Sequence, residues 1–261
     1  MGITSLALQC LTVAALRGAT LAGDAVQFGA IDALDVNAAL LAKPLIAVFL
    51  GEDDRTLQGR ELVGGEHRVE LLIQAFLPAE IDITIDGSPL TISSRQGGAD
   101  VIMSIVRRQI DAALAASDSD AASLWRILVA QIESTSAIPF LFQINDQVRV
   151  AANEASYMCR LGIFEPSFGK AVESDFWRAV IGTISEDPDL APLAAWIEGE
   201  IRGPQELPSW RVAQADLGLT QEGREAIGIG PIVLPEAPSS EAPPISEAVV
   251  DTGDGETWRL P

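Results

Sequence analysis

The reading turns on KPLIAVFLGEDDRTLQGRELVGGEHRVELLIQAFLPAE, residues 43–80. Its front end, Pro44 to Leu50, is a short apolar run rich in branched and aromatic side chains. It is bounded by Pro44 and Gly51, which suits a strand covered on both faces better than a helix. Its back end predicts a second strand, Val69 to Leu77. There Val69, Leu71, Ile73, Ala75 and Leu77 are apolar, while Glu70 and Gln74 are polar, so one face belongs to a core. Between the two lies Gly51 to Arg68, eighteen residues with four glycines and eight charged side chains. Connections of that length are uncommon in a compact domain and are usually functional. The expectation is two rigid strands holding out a long charged loop.

Working outward, Thr4 or Ser5 caps a first helix with Leu6, Cys10, Val13 and Leu16 on one stripe, stopped near Gly18. Val26 to Phe28 reads as a short strand, and Ile31 to Leu41 is ambiguous. Alternation around Asp86-Gly87 gives a hairpin. Asp100 then caps a helix with Ile102, Val106, Ile110, Ala113 and Leu114 on its inner face. A further helix from Asp120 carries Leu124, Leu128 and Ile132. Phe140 to Val150 and Ser156 to Phe164 read as strands. Residues 1–165 are therefore an α+β domain, a mostly antiparallel sheet with helices packed on one face.

From Pro166 the character changes. Residues 166–230 form a helical extension, with helices around Trp177 and Trp196 and a weaker one after Trp210. A unit this small needs to dock on something larger. Residues 231–261 are a Pro-rich acidic tail, six acids against one base, read as extended and solvated, with Trp258 as an anchor near its end.

Composition narrows the function classes. Hydrophobic residues make up 48% of the 261, enough for a core, whereas a formal charge of −20 argues against binding nucleic acid through its phosphates. Cys10 and Cys159 are too few for a disulfide framework and fit a reducing compartment. The apolar start lacks the basic lead of a signal peptide, and no run has the length of a membrane span, so the cytoplasm is the expected site of synthesis.

Motifs for chemistry are weak. The single histidine, His67, reads as a solvated loop side chain, and with no second histidine it leaves little for a zinc site. No Gly-x-Ser-x-Gly elbow or phosphate-cradling loop is present, and Gly228 to Gly230 is only a fragment of a dinucleotide fingerprint. Val249 to Gly253 is similar to the aspartic-protease triplet, but too little chain follows it for the barrel such a carboxylate needs. Glu52, Asp53 and Asp54 could approach a hard cation, yet Arg55 intrudes and the later ligands of a calcium loop are missing. They read better as a solvated charge run. No enzyme activity, metal or cofactor is expected.

The opening stretch does resemble one family. Pro44, Ala47, Val48, Leu50, Gly59, Glu61, Leu62, Glu70, Leu71, Ile73 and Phe76 to Ala79 match, in order and spacing, the lambda-type minor tail protein U group. These are the tail-terminator proteins of long-tailed bacteriophages. The first helix followed by Leu21, Ala22, Gly23 and Asp24 sits where that family has its own helix and turn. The likeness covers about 80 residues and thins toward residue 165. The charged loop is about two residues longer than in that family, and the Asp86-Gly87 hairpin, the larger helical region and everything after Pro166 depart from its short members. It implies a structural virion protein of the tail neck, made in the host cytoplasm, six copies of which close into a homo-oligomeric ring. Such a ring ends polymerisation of the tail tube protein and meets the head connector or stopper protein. It implies no specific nucleic-acid binding and no membrane. Interface residues would fall at Glu52, Asp53, Asp54, Arg55, Arg60, Glu61, Glu66 and Arg68, the arginines meeting acids of a neighbour. Rival readings are another neck or tube component, an acid-dependent hydrolase with a hidden carboxylate pair, and an adaptor using its Pro-rich tail and Trp258.

Overall fold

The structure is a computed structural model and describes residues 2–29, 43–56, 65–78, 80–85, 88–93, 98–116, 118–143, 149–163, 165–166, 174–203, 248–251 and 257–260. Helix α1 (Ile3–Leu16) is apolar nearly all round, and only Ile3 and Ala14 escape full burial. A helix of that kind belongs inside a protein rather than on its surface. Gly18, at φ 69°, turns the chain away just after it. Strand β1 (Val26–Phe28) then pairs in parallel with β2 (Leu45–Thr56), and β3 (Glu66–Phe76) runs antiparallel to β2.

Hairpin β4 (Glu80–Ile85) and β5 (Ser88–Ser93) forms its own small sheet. Helices α2 (Gly98–Ala115) and α3 (Asp120–Leu128) follow, then the long strands β6 (Val129–Gln143) and β7 (Arg149–Leu161). The main sheet has the order β1-β2-β3-β7-β6, all pairs antiparallel except the first. With its helices on one face, the fold is α+β as expected.

Two more helices follow: α4 (Asp175–Ser185) packs on α1 and α3, and α5 (Ala191–Arg202) packs on α4. Trp177, Val180, Ile184, Ala194, Ile197 and Ile201 join one continuous core with α1 and the inner face of the sheet. The helical extension thus docks on the α+β layers through apolar burial. Arg17 reinforces it: one guanidinium nitrogen reaches Asp187, another lies 2.9 Å from Asp189, and Val26 O accepts from it at 3.0 Å. Inside the core, Trp125 Nε1 donates to Thr12 Oγ1 (3.1 Å), and Gln9 Nε2 donates to Val48 O (2.7 Å). Burial pushes the thiols of Cys10, helped by the Asp187 charge, and Cys159 up to about 12, so both stay protonated and free.

Three expectations are corrected. Both ends of the charged loop are strand: β2 runs on to Thr56 and β3 begins at Glu66, with Asp53 to Thr56 laddered against Glu66 to Val69, while residues 57–64 lie outside the described residues. The helix from Asp120 stops at Leu128, and Ile132, placed on it by spacing, lies in β6. The acidic tail contains a hairpin, β8 (Ala248–Asp251) with β9 (Thr257–Leu260), Val250 opposite Trp258. Ile31 to Leu41 and the helix after Trp210 lie outside the described residues. Among those residues no helix is long and apolar enough to cross a membrane.

Candidate functional site

A register shift between Leu50 and Asp53 sets the geometry of the charged segment. Gly51 and Glu52 together oppose the single residue Glu70, which is a β-bulge, a device that re-aims side chains. Before the bulge the even positions Ile46, Val48 and Leu50 share the face of Val69, Leu71 and Ile73. Beyond it the odd positions Asp53 and Arg55 take that face, while Glu52, Asp54 and Thr56 turn outward and are exposed. A Cβ at Gly51 would run into the Glu70 carboxylate, so glycine lets that side chain lie over the bulge.

Asp53 and Arg55 consequently meet the start of α1. Asp53 Oδ1 lies 2.7 Å from His67 Nε2 and Oδ2 accepts from Ser5 Oγ at 2.8 Å, while Ser5 Oγ is 3.3 Å from the same His67 nitrogen. His67 is only 6% exposed, so the solvated reading of this residue is overturned. Burial acts to raise the Asp53 pKa. Hydrogen bonds from His67 and Ser5, with the His67 charge, outweigh it and hold the carboxyl below its ordinary value. Arg55 pairs with Glu165 at 2.7 Å, and Glu165 also accepts from the backbone N–H groups of Ile3 and Thr4. That carboxylate caps otherwise unpaired donors of the helix and faces its positive end.

Serine, histidine and aspartate in contact invite a catalytic reading, but the geometry opposes it. A nucleophile relay needs hydroxyl and carboxylate on opposite ring nitrogens, so that the imidazole passes a proton along. Here both converge on Nε2. The cluster fastens the β2–β3 ends to α1. Among the described residues no group of three or more His, Cys, Asp or Glu side chains is arranged to hold a metal ion.

The helix-free face of the sheet is different in kind. Arg68 lies 3.2 Å from Glu66 and 3.3 Å from Glu133, Arg160 lies 3.6 Å from Glu66, and Arg160 donates to Gln131 at 2.6 Å. Farther along, Ser156 donates to Glu70 (2.6 Å) and Gln74 to Glu154 (2.7 Å). At the other end, Leu45, Ala47, Phe76, Val150 and Ala152 form a small second apolar cluster beside Phe140. A polar lattice, mostly half-buried on β3 and β7 and exposed on β6, thus crosses these three strands.

The eight interface candidates divide accordingly. Asp53 and Arg55 are engaged inside their own chain, with Ser5 and His67 and with Glu165. Glu52 and Asp54 are exposed, Glu66 and Arg68 sit in the outward lattice, and Arg60 and Glu61 lie outside the described residues.

Most of strand β6 is the feature the sequence reading missed: a strand is expected there only from Phe140, whereas β6 begins at Val129 and ends at Gln143. It is the outer edge of the sheet, and residues 130–139 and 141 are all exposed. Ile132, Ile138 and Leu141 are 43%, 59% and 64% exposed. The run Ser134-Thr135-Ser136 and Pro139 argued locally against a helix. Between β6 and α2 lies an open cleft of about 470 Å³ lined by Met103, Arg107, Arg108, Ala137, Pro139 and Asn153, among others. Arg107 stacks 4.9 Å over the Tyr157 ring and donates to Ser136 O at 3.4 Å; Tyr157 donates to Asp111 at 2.7 Å. A second cavity, about 590 Å³, opens between α1, α3 and the α4–α5 turn; of the acids lining it, Asp24, Asp120, Glu186, Asp187 and Asp189, the last two pair with Arg17.

No protein-family model matches the chain, and no curated protein does so either.

Proposed function

We propose that the chain is a structural subunit of a phage tail neck, closing as identical copies into a ring that caps the tail tube and joins it to the head connector. The observation that carries this reading is β6: a fifteen-residue strand left at the sheet edge with three large aliphatic side chains in water. Unpaired strand edges bearing apolar groups are a liability in an isolated protein and are covered in an assembly. The segment resembling the tail terminators supports it too, since it folds as the adjacent pair β2–β3 near the centre of the sheet. In this reading the interface consists of β6 with the outward residues Glu52, Asp54, Glu66 and Arg68. A ring requires a heterologous, closing contact, and a stable one buries roughly 1,000 Å² or more. The charge of −20 would discourage DNA from adhering as it passes.

Native mass spectrometry of the purified chain tests the proposal: a closed assembly of six copies is the expected result, and a monomer at micromolar concentration would overturn it. Adding the ring to polymerising tube protein should shorten the tubes. Binding to the connector without shortening would instead identify a stopper.

A further inference from the structure

The C-terminal hairpin and the free edge of β6 fit one another, and we propose that β8–β9 of one copy adds as strands to β6 of a neighbouring copy. This rests on the assembly reading above and supplies it with a partner for the exposed edge.

Three observations point to this occupant. The first is length. Register shifts between Val129 and Gln131 and between Ile132 and Ser134 break the ladder early in β6, and Pro139 removes a backbone donor later on. They bracket one regular stretch, Ser134 to Ile138, whose side chains carry no charge to repel an added strand. Strands β8 and β9 are four residues each and fit within those five.

The second is stability. A two-stranded hairpin alone in water is marginal and needs a third strand or an apolar surface. The hairpin sequence includes Val249, Val250, Trp258 and Leu260, and β6 offers the exposed Ile138 on its helix-free face, opposite the α2 cleft that Ala137 and Pro139 line. Among the described residues β8–β9 forms a separate sheet, and the five-stranded sheet ends at β6. A closing ring would bring a second copy to that edge, so the pairing is assigned between copies.

The third is reach and charge. Residues 204–247 separate α5 from β8, and a chain of that length can span on the order of 100 Å when extended. Residues 231–261 are acidic, and the stretch Ser134 to Ile138 carries no acid of its own to repel them. Addition of a strand to an exposed edge draws its affinity from backbone hydrogen bonds and its specificity from alternate side chains in adjoining pockets.

The test mixes two single-cysteine variants of the full chain, Ser136→Cys and Val249→Cys, with a short bis-maleimide; the native Cys10 and Cys159 are buried. Cross-linked heterodimers in the mixture, absent when either variant reacts alone, are the expected result. Hydrogen exchange gives a second readout: amides of residues 134–138 should be protected in the assembled full chain and lose that protection in a chain ending at Glu247. A ring that shows neither the cross-link nor the protection overturns the hairpin pairing and leaves the ring itself standing. A full chain that stays monomeric removes both. Efficient cross-linking only within a doubly substituted monomer would overturn the pairing between copies.

Discussion

Asp53 touches His67 and Ser5 because its strand carries one extra residue just before it, and the consequences belong to individual side chains. Replacing His67 with Ala leaves the Asp53 carboxylate with one fewer donor in a largely enclosed place, which costs about 1–3 kcal/mol. Urea denaturation measures it. The pH dependence has a definite sign. The Asp53 carboxyl is held below its ordinary value when folded, so its contribution is complete above the unfolded pKa and fades as pH falls through the folded one. The stability gap between the parent and Asp53→Asn should therefore be widest near neutral pH and close in acid. A gap constant with pH would show that the charge is not what matters. Trp125→Phe should cost about 1 kcal/mol by deleting the bond to Thr12. Thr12 still donates to Leu8 O at 2.7 Å, so its hydroxyl is not stranded.

At the scale of elements, the bulge in β2 makes an unequal prediction for two deletions. Removing Glu52 converts the bulge to a regular pair and keeps Asp53 on the face of His67 and α1, so the melting temperature should stay close to the parent's. Removing Val48 from the regular part of the strand throws one flank onto the wrong face and should abolish cooperative unfolding. The same bulge explains what the sequence showed and what it hid. Alternation from Val69 to Leu77 and the spacing of Ile102, Val106 and Ile110 were plain, because burial of one face repeats along an element. Asp53 and Arg55 looked like loop because the phase of β2 changes at Gly51. His67 looked solvated because what buries it, the first turn of α1, lies some sixty residues away. Ile132 looked helical because it continues the four-residue spacing of Leu124 and Leu128 by coincidence, while the sheet edge claims the chain from Val129. The hairpin near the C-terminus was masked by its acidic, proline-rich surroundings, which argue for an extended chain.

For the whole molecule, assembly and stability should separate. Replacing Ile138 and Leu141 together with Glu alters side chains that are already in water, so the monomer's melting temperature should hardly move. The same pair of changes should dissolve any ring, read by native mass spectrometry. Rings that persist would place the subunit contact elsewhere, with the outward lattice of Glu66, Arg68 and Glu133 the next surface to alter. Leu11→Ala, at a fully buried position of α1, should do the reverse. It costs about 2–5 kcal/mol of stability while leaving every outward group in place. The enclosure of α1 also constrains the order of events during synthesis. Residues 3–16 receive their last wall only when residues 175–201 have emerged, so a greasy cylinder must wait, unshielded, through most of translation. Until then it is a natural handle for chaperones, and slowing the ribosome anywhere in that interval should raise the insoluble fraction.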